Sequence, residues 1–172
     1  NVSLEGLVDP ASATPGVVDL DITNPGFETG DLTGWEASSN KPRARNDTNK
    51  PPGGGDWVVA LGNSNNDSGS QEWVRQKVDI PSIFHADVDA GRATHKLEWF
   101  YNSFNPEDPW RGRVQFLAGN GNVISSFESG ESIQGGWHER TLNNAVPANA
   151  RAVRLWHIVR KTDGSAIVFA VD

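Results

Sequence analysis

The residues of this chain with the clearest chemical potential are aromatic. Seven of its 172 residues are Trp, and Trp57 and Trp137 each follow a Gly-rich loop, while Trp110 lies in the loop sequence NPEDPWRG. An indole ring packs well against the C–H face of a sugar, so an exposed Trp in such a loop is a candidate glycan platform. Trp110, followed directly by Arg111, is the leading candidate.

Catalytic chemistry is not indicated. The four histidines, His85, His95, His138 and His157, lie far apart and do not form an H-E-x-x-H pattern. The chain has no Cys, and neither a G-x-S-x-G elbow nor a Gly-rich phosphate loop is present. Nothing in the sequence therefore supplies a nucleophile, an activating base or a cofactor loop, and we predict that the protein is not an enzyme.

The overall charge argues against two classes of partner. The formal net charge is −7, whereas binding to phosphate backbones requires a clustered basic surface, so nucleic acid is disfavoured. No apolar stretch is long enough to cross a bilayer, and membrane insertion is not expected.

The pattern of apolar residues predicts an all-β fold. About ten short, strand-like segments recur at regular spacing, separated by turns rich in Gly, Asn, Asp and Pro, and only Ser82 to Ala93 has room for one helical turn. Such a pattern is typical of an antiparallel β-sandwich. Trp35, Trp99 and Trp156 lie in strand-like contexts and are expected in its core.

Three segments resemble a known fold family. The stretch NPGFETGDLTGW (residues 24–35) resembles the opening of galactose-binding-like jelly rolls, which include several families of carbohydrate-binding modules. Residues 77–101 resemble the middle of secreted bacterial versions of that fold, and residues 146–172 resemble their closing hairpin. The resemblance implies a jelly-roll β-sandwich over residues 17–172 and an extracellular or cell-surface location.

The same resemblance implies a structural calcium ion. The family pattern places calcium near the Glu of the GFE motif and the Asp of the closing strand, which are Glu28 and Asp172 here. Calcium prefers carboxylate and carbonyl oxygens, and Asn24, Asp31 and Asp56 are further candidate ligands. Solvent-exposed or capping carboxylates are the alternative interpretation.

The two ends of the chain read as one strand divided in two. Residues 166–172 (AIVFAVD) followed by Asn1, Val2, Ser3, Leu4 and Glu5 give one continuous strand-like stretch. Strict alternation would put Val2 and Leu4 on the opposite face from Phe169, unless a β-bulge lies at the join. Residues 1–5 are therefore predicted to complete a sandwich, and residues 6–16 to form a linker. The sandwich completed is either the chain's own or that of a neighbouring copy.

Two functions follow from these observations. The first is a structural unit of an extracellular fibre or repeat array, joined head to tail with copies of itself by strand addition and stabilised by calcium. The alternative is a carbohydrate-binding module that binds polysaccharide through exposed Trp side chains.

Overall fold

The computed structural model describes most of the chain. The described residues are 2–8, 15–39, 42–48, 50–51, 53–61, 71–102, 108–132, 135–160 and 167–170. Within them the backbone forms twelve β-strands and one short helix, α1 (His85–Asp89), which follows a 3₁₀ turn at Ser82–Phe84. The all-β prediction is confirmed, and α1 occupies the segment where the sequence leaves room for one helical turn. These helical segments do not have the length and apolar character that a membrane span requires.

The strands form two antiparallel sheets. Their bounds are β1 (Val2–Val8), β2 (Pro15–Asp19), β3 (Glu36–Ala37), β4 (Arg43–Asn46), β5 (Trp57–Leu61), β6 (Gln71–Asp79), β7 (Thr94–Asn102), β8 (Trp110–Leu117), β9 (Val123–Glu128), β10 (Trp137–Ala145), β11 (Ala152–Arg160) and β12 (Ile167–Ala170). The seven-stranded sheet has the order β2-β1-β7-β12-β5-β4, with β10 on the other edge of β7, and the five-stranded sheet has the order β3-β6-β11-β8-β9.

The two sheets pack face to face because their strands alternate in polarity. Along β6, buried residues alternate with exposed or half-exposed ones, so one face of the strand enters the core. Inward residues of both sheets, such as Val74, Leu97, Val114 and Leu155, belong to one hydrophobic cluster. Gly112 permits a close approach between the sheets, because an added Cβ there would lie 2.6 Å from Cζ2 of Trp99.

The two ends of the chain lie along the same edge of β7. Residues Val2 to Glu5 of β1 pair with Leu97 to Thr94, and residues 168–170 of β12 pair with 102–100. Two β7 positions, 98 and 99, separate the two ladders, and a simple continuation of the β12 register along β7 would place residue 1, not Val2, opposite Leu97. The registers therefore differ by one residue. This offset puts Val2 and Leu4 opposite the inward-facing Leu97 and His95, as Phe169 is opposite Tyr101.

The expected linker is shorter than the sequence indicates. β1 continues through Val8, and β2 begins at Pro15, so both ends of the 6–16 segment belong to an antiparallel hairpin. The apolar Leu7 and Val8 extend the ladder, and a Pro is tolerated at the first position of a strand on a sheet edge. Residues 9–14 lie outside the described part of the chain. In this single chain, β1 belongs to its own sheet.

Candidate functional site

The outward face of the five-stranded sheet carries an unusual set of side chains. In its three central strands, the residues that alternate with the buried ones face away from the core. Nine residues at these outward positions define what we call the Trp–Arg face: Trp73, Arg75 and Lys77 of β6, Arg111, Arg113 and Gln115 of β8, and Arg154, Trp156 and Ile158 of β11. Ile158 has the outward parity but is only 3% exposed.

One row of residues crosses all five strands of this sheet. Cross-strand pairing places Glu36, Arg75, Trp156, Arg113 and Glu128 side by side in that order. Arg75 donates to a carboxylate oxygen of Glu36 through Nε at 2.7 Å, and Arg113 donates to Glu128 through Nε at 2.6 Å. The Trp ring thus stands between two arginines, each of which is paired with a glutamate on its outer side.

Cation–π contacts hold this row together. The guanidinium carbon of Arg75 lies 4.7 Å from the ring centroids of both Trp73 and Trp156, and that of Arg113 lies 5.7 Å from Trp156. The indole N–H of Trp156 donates to Oε1 of Gln115 at 3.0 Å. These side chains are therefore restrained before any ligand arrives, which reduces the entropy cost of binding.

The charge of the Trp–Arg face differs from that of the whole protein. Five of its nine residues are basic and none is acidic, although the chain as a whole carries −7. Acidic partners lie at its margins: Glu36 on β3, Glu128 at the end of β9, Glu131 just after β9, and Asp79, which has the outward parity at the end of β6.

The prediction that Trp110 is an exposed platform is wrong. The strand β8 begins at Trp110, and its alternation turns this side chain inward, where it is 1% exposed. Its ring centroid lies 3.5 Å from that of Tyr101 and 6.0 Å from that of Trp99. The next residue, Arg111, faces outward on the Trp–Arg face and contacts the carboxylates of Glu128 and Glu131 at 3.4 Å.

The other two predicted platforms lie away from this face. Trp57 is half-buried, packs against the main core and has Gly30 close to its ring. Trp137 is also half-buried and packs against Val58 and Ala60 on the outer side of the seven-stranded sheet. The sequence-predicted platforms are therefore not gathered in one place.

Two Trp residues of the Trp–Arg face were misassigned or overlooked at the sequence level. Trp35 and Trp99 are in the core as predicted, but Trp156 is only partly buried and faces outward. Trp73 was not assigned to any site. The signal is present in the sequence, because Trp73 shares its parity with Arg75 and Lys77, and Trp156 shares its parity with Arg154 and Arg160.

The predicted calcium ligands serve mainly as turn caps. Glu28 accepts hydrogen bonds from the backbone N–H groups of Asp56 (2.9 Å) and Trp57 (3.0 Å). In the turn that follows Glu28, Oδ1 of Asp31 accepts hydrogen bonds from the hydroxyl of Thr29 at 2.7 Å and from the backbone amide of Thr33 at 2.9 Å. These bonds lower the pKa of Asp31. The Asn24 side chain donates to the backbone oxygen of Asp31 at 3.1 Å.

These residues do not form a calcium cage among the described residues. No group of three or more acidic, His or Cys side chains in the described part of the chain is arranged to hold a metal ion. Glu28 meets the backbone of Asp56, but the Asp56 side chain pairs with Lys50, and Asp172 lies outside the described residues. Calcium binding therefore stays a prediction, and it depends on what Asp172 adds to Glu28.

Replacing Glu28 with Gln distinguishes its role as a cap of backbone amides from its predicted role as a calcium ligand. We expect Glu28→Gln to lower the free energy of unfolding by about 1 kcal/mol even in chelator, because a charged acceptor of two backbone amides is lost. If calcium also binds there, calcium will raise the midpoint of thermal unfolding of the parent but not of the variant. Calorimetry in EDTA and in millimolar calcium measures both effects, and an equal response of the two proteins to calcium would remove Glu28 from the ligand set.

Comparison with known proteins places the fold among carbohydrate-binding modules. A family 61 module solved with β-1,4-galactotriose has a TM-score of 0.60 at 15% identity, covering 90% of this chain and 96% of that one. A family 16 carbohydrate-binding module has a TM-score of 0.59 at 15% identity, covering 87% and 94%. The chain thus has the jelly-roll β-sandwich fold of these modules.

A larger protein contains the same fold. The enzymatically active domain of tailspike protein 4 of bacteriophage CBA120 has a TM-score of 0.67 at 15% identity, and the match covers 88% of this chain but only 20% of that one. No protein-family model matches the sequence, and no curated protein matches it either. At such identities the structural matches define the fold alone.

Proposed function

We propose that this chain is a non-catalytic, extracellular carbohydrate-binding module whose Trp–Arg face contacts the glycan. The observation that carries the proposal is the restrained row of Trp156 between Arg75 and Arg113 on an outer sheet face. Carbohydrate recognition combines apolar contact with the sugar ring and fixed hydrogen-bond donors to its oxygens, and this row supplies both kinds of group. The fold's similarity to a module solved with a galactotriose supports the same reading.

The proposal is tested by removing the aromatic side chains of the face. We expect Trp156→Ala, and more strongly the double variant with Trp73→Ala, to weaken polysaccharide binding at least about 10-fold, since large aromatic side chains dominate such interfaces. Affinity electrophoresis against β-1,4-galactan, xylan, β-glucan and polygalacturonate, followed by calorimetry on the best ligand, measures the loss.

The matched control is Trp137→Ala. Trp137 is likewise half-buried but lies on the other sheet, so this variant is expected to bind as the parent does. Circular dichroism and thermal unfolding verify that each variant is folded. Unchanged binding by the double variant, together with loss in Trp137→Ala or Trp57→Ala, would place the glycan site elsewhere and overturn the proposal.

One observation favours a second candidate function, that of a head-to-tail unit in a fibre or array. β1 and β12 lie in line on one edge of β7 with a one-residue offset. The strand at the start of a second copy would meet the same backbone groups, so β1 of one molecule could occupy this place in the next. Such a contact joins different surfaces and propagates rather than closing into a dimer.

A further inference from the structure

The charge distribution of the Trp–Arg face bears on which glycans it would select. Its five basic residues, Arg75, Lys77, Arg111, Arg113 and Arg154, occupy three adjacent strands of a protein that is acidic overall. A neutral polysaccharide can accept hydrogen bonds from these side chains, but it gains no charge attraction from them. A polysaccharide with anionic groups is attracted by it and receives hydrogen bonds from it.

The arginines of the central row are held in fixed positions. Arg75 and Arg113 pair with Glu36 and Glu128 at the sides of the sheet, and both lie against the ring of Trp156. A guanidinium group carries five N–H donors, so one carboxylate partner leaves further donors for a ligand. Planar, pre-oriented guanidinium groups match the two oxygens of a carboxylate or sulfate.

Arg154 is the cation that a ligand would find least compensated. Among the residues that the structure describes, no acidic side chain lies within ion-pair distance of Arg154, whereas Arg75, Arg111, Arg113 and Lys77 each have such a partner. In the sheet, Arg154 is directly paired with Lys77 on one side and with Gln115 on the other. This second cross-strand row, Lys77, Arg154 and Gln115, therefore contains two cations and an amide, and no acidic residue lies between them.

The spacing between Arg154 and Trp156 suits one sugar residue. The two side chains are two positions apart on the same face of β11, which is about 6.6 Å along the strand. A sugar ring lying beside Trp156 would thus bring a substituent within reach of Arg154. Gln115 is engaged with the N–H of Trp156 through Oε1, so its amide nitrogen remains a donor toward the same substituent.

We propose that the Trp–Arg face selects acidic polysaccharides and that Arg154, Lys77 and Gln115 bind the anionic group. This inference rests on the proposed function. The shared chemistry is a sugar-borne carboxylate or sulfate. The net negative charge of the protein repels a polyanion at long range, so binding depends on this local patch and weakens as salt screens it.

Two pairs of polysaccharides provide the test. Polygalacturonate is compared with its fully methyl-esterified form, and dextran sulfate with dextran, because the members of each pair differ in charge on a common backbone. We expect at least 10-fold tighter binding to the charged member of at least one pair, and loss of most of that difference on raising sodium chloride from 50 to 500 mM. A preference confined to the first pair identifies carboxylate as the ligand group, and one confined to the second identifies sulfate.

Substitutions test anionic selectivity separately from glycan binding as such. We expect Arg154→Gln and Lys77→Gln to reduce binding of the charged polysaccharide 5- to 10-fold and to weaken binding of the neutral member much less, so that the ratio of the two affinities falls. Lys96→Gln, which removes a cation from the outer face of the other sheet, serves as the control and should change neither.

Two results would overturn the inference in different ways. Equal affinity for charged and neutral members, with no effect of Arg154→Gln but loss of binding in Trp156→Ala, would refute anionic selectivity and keep the glycan site. Binding to a charged polysaccharide that neither Arg154→Gln nor Trp156→Ala weakens would refute both.

Discussion

Lowering the pH from 7 to 5 is expected to reduce the free energy of unfolding by about 3–4 kcal/mol, as two buried histidines resist protonation in the folded state. His157 and His95 are each 1% exposed. Burial lowers the pKa of His157 to about 3. It lowers the pKa of His95 to about 4, although the hydrogen bond to the backbone oxygen of Asn144 partly opposes this.

The direction follows from where the protons bind. An unfolded chain protonates both histidines as the pH falls through about 6.5. The folded chain keeps them neutral until about pH 4 for His95 and about pH 3 for His157. The unfolded state therefore takes up more protons in this interval, so the stabilisation is fully present above pH 6.5 and is lost as the pH falls. Each proton contributes a slope of about 1.4 kcal/mol per pH unit.

Urea unfolding at half-unit steps of pH from 7.5 to 5 measures this slope. In the variant His157→Gln we expect about half of the slope to remain, because only His95 then differs between the two states. NMR of the imidazole C–H resonances provides an independent check, since neither buried ring should titrate above pH 5 in the folded protein. A free energy that stays constant between pH 7 and 5 would contradict the prediction.

Removal of residues 1–8 is expected to cost about 5 kcal/mol or more of stability. β1 pairs with β7 over Val2 to Glu5 and with β2 along nearly its whole length. Its loss leaves the edge of β7 from Thr94 to Leu97 without a partner strand. Backbone hydrogen bonds contribute about 1 kcal/mol each, and the ladders of β1 with β7 and with β2 together contain several of them. The expected loss approaches the whole stability of a typical domain.

Because a loss of this size can leave the truncated chain unfolded, the experiment includes rescue in trans. A synthetic peptide of residues 1–19 should restore the midpoint of thermal unfolding in a concentration-dependent manner, as any ligand specific to the folded state does. The control peptide carries Leu4→Lys, at the position opposite His95. A truncated chain as stable as the parent would show that β1 contributes little to the sheet.

The same material tests the head-to-tail candidate. If β1 exchanges between copies, the full chain should form concentration-dependent oligomers in sedimentation and filaments by electron microscopy, and the truncated chain should form neither. A full-length chain that stays monomeric at every concentration would refute non-covalent assembly through this strand, without any consequence for glycan binding.

The fold was largely predictable because its signals are local. Strands such as β6 and β11 alternate apolar and polar residues, and turns such as 119–122 contain Gly and Asn, so segment type and sheet class follow from the sequence. The strand-like character of both end segments was also predictable from their apolar residues, and the structure pairs β1 and β12 with the same strand, β7. What the sequence did not indicate was that Leu7 and Val8 extend β1 into a hairpin with β2.

The candidate site was harder to predict because it depends on the face of a strand. Trp110 and Arg111 are neighbours in sequence, yet one lies in the core and the other on the surface, and the strand start at residue 110 decides which. The Trp–Arg face combines side chains from residues 73–77, 111–115 and 154–158, and only the strand order brings these segments together. A single sequence indicates which residues of a strand share one face, but it does not indicate which other strands lie beside that strand in the sheet.

The position of the two ends on one edge of β7 has a mechanical consequence. β1 starts at Val2 and β12 ends at Ala170, and their partners Leu97 and Phe100 are only three residues apart on β7. Tension applied to both ends would therefore peel the two strands away from this point in opposite directions. Successive hydrogen bonds would be loaded one after another rather than together, so we expect the domain to open at low force and to behave as a soft element in any chain under load.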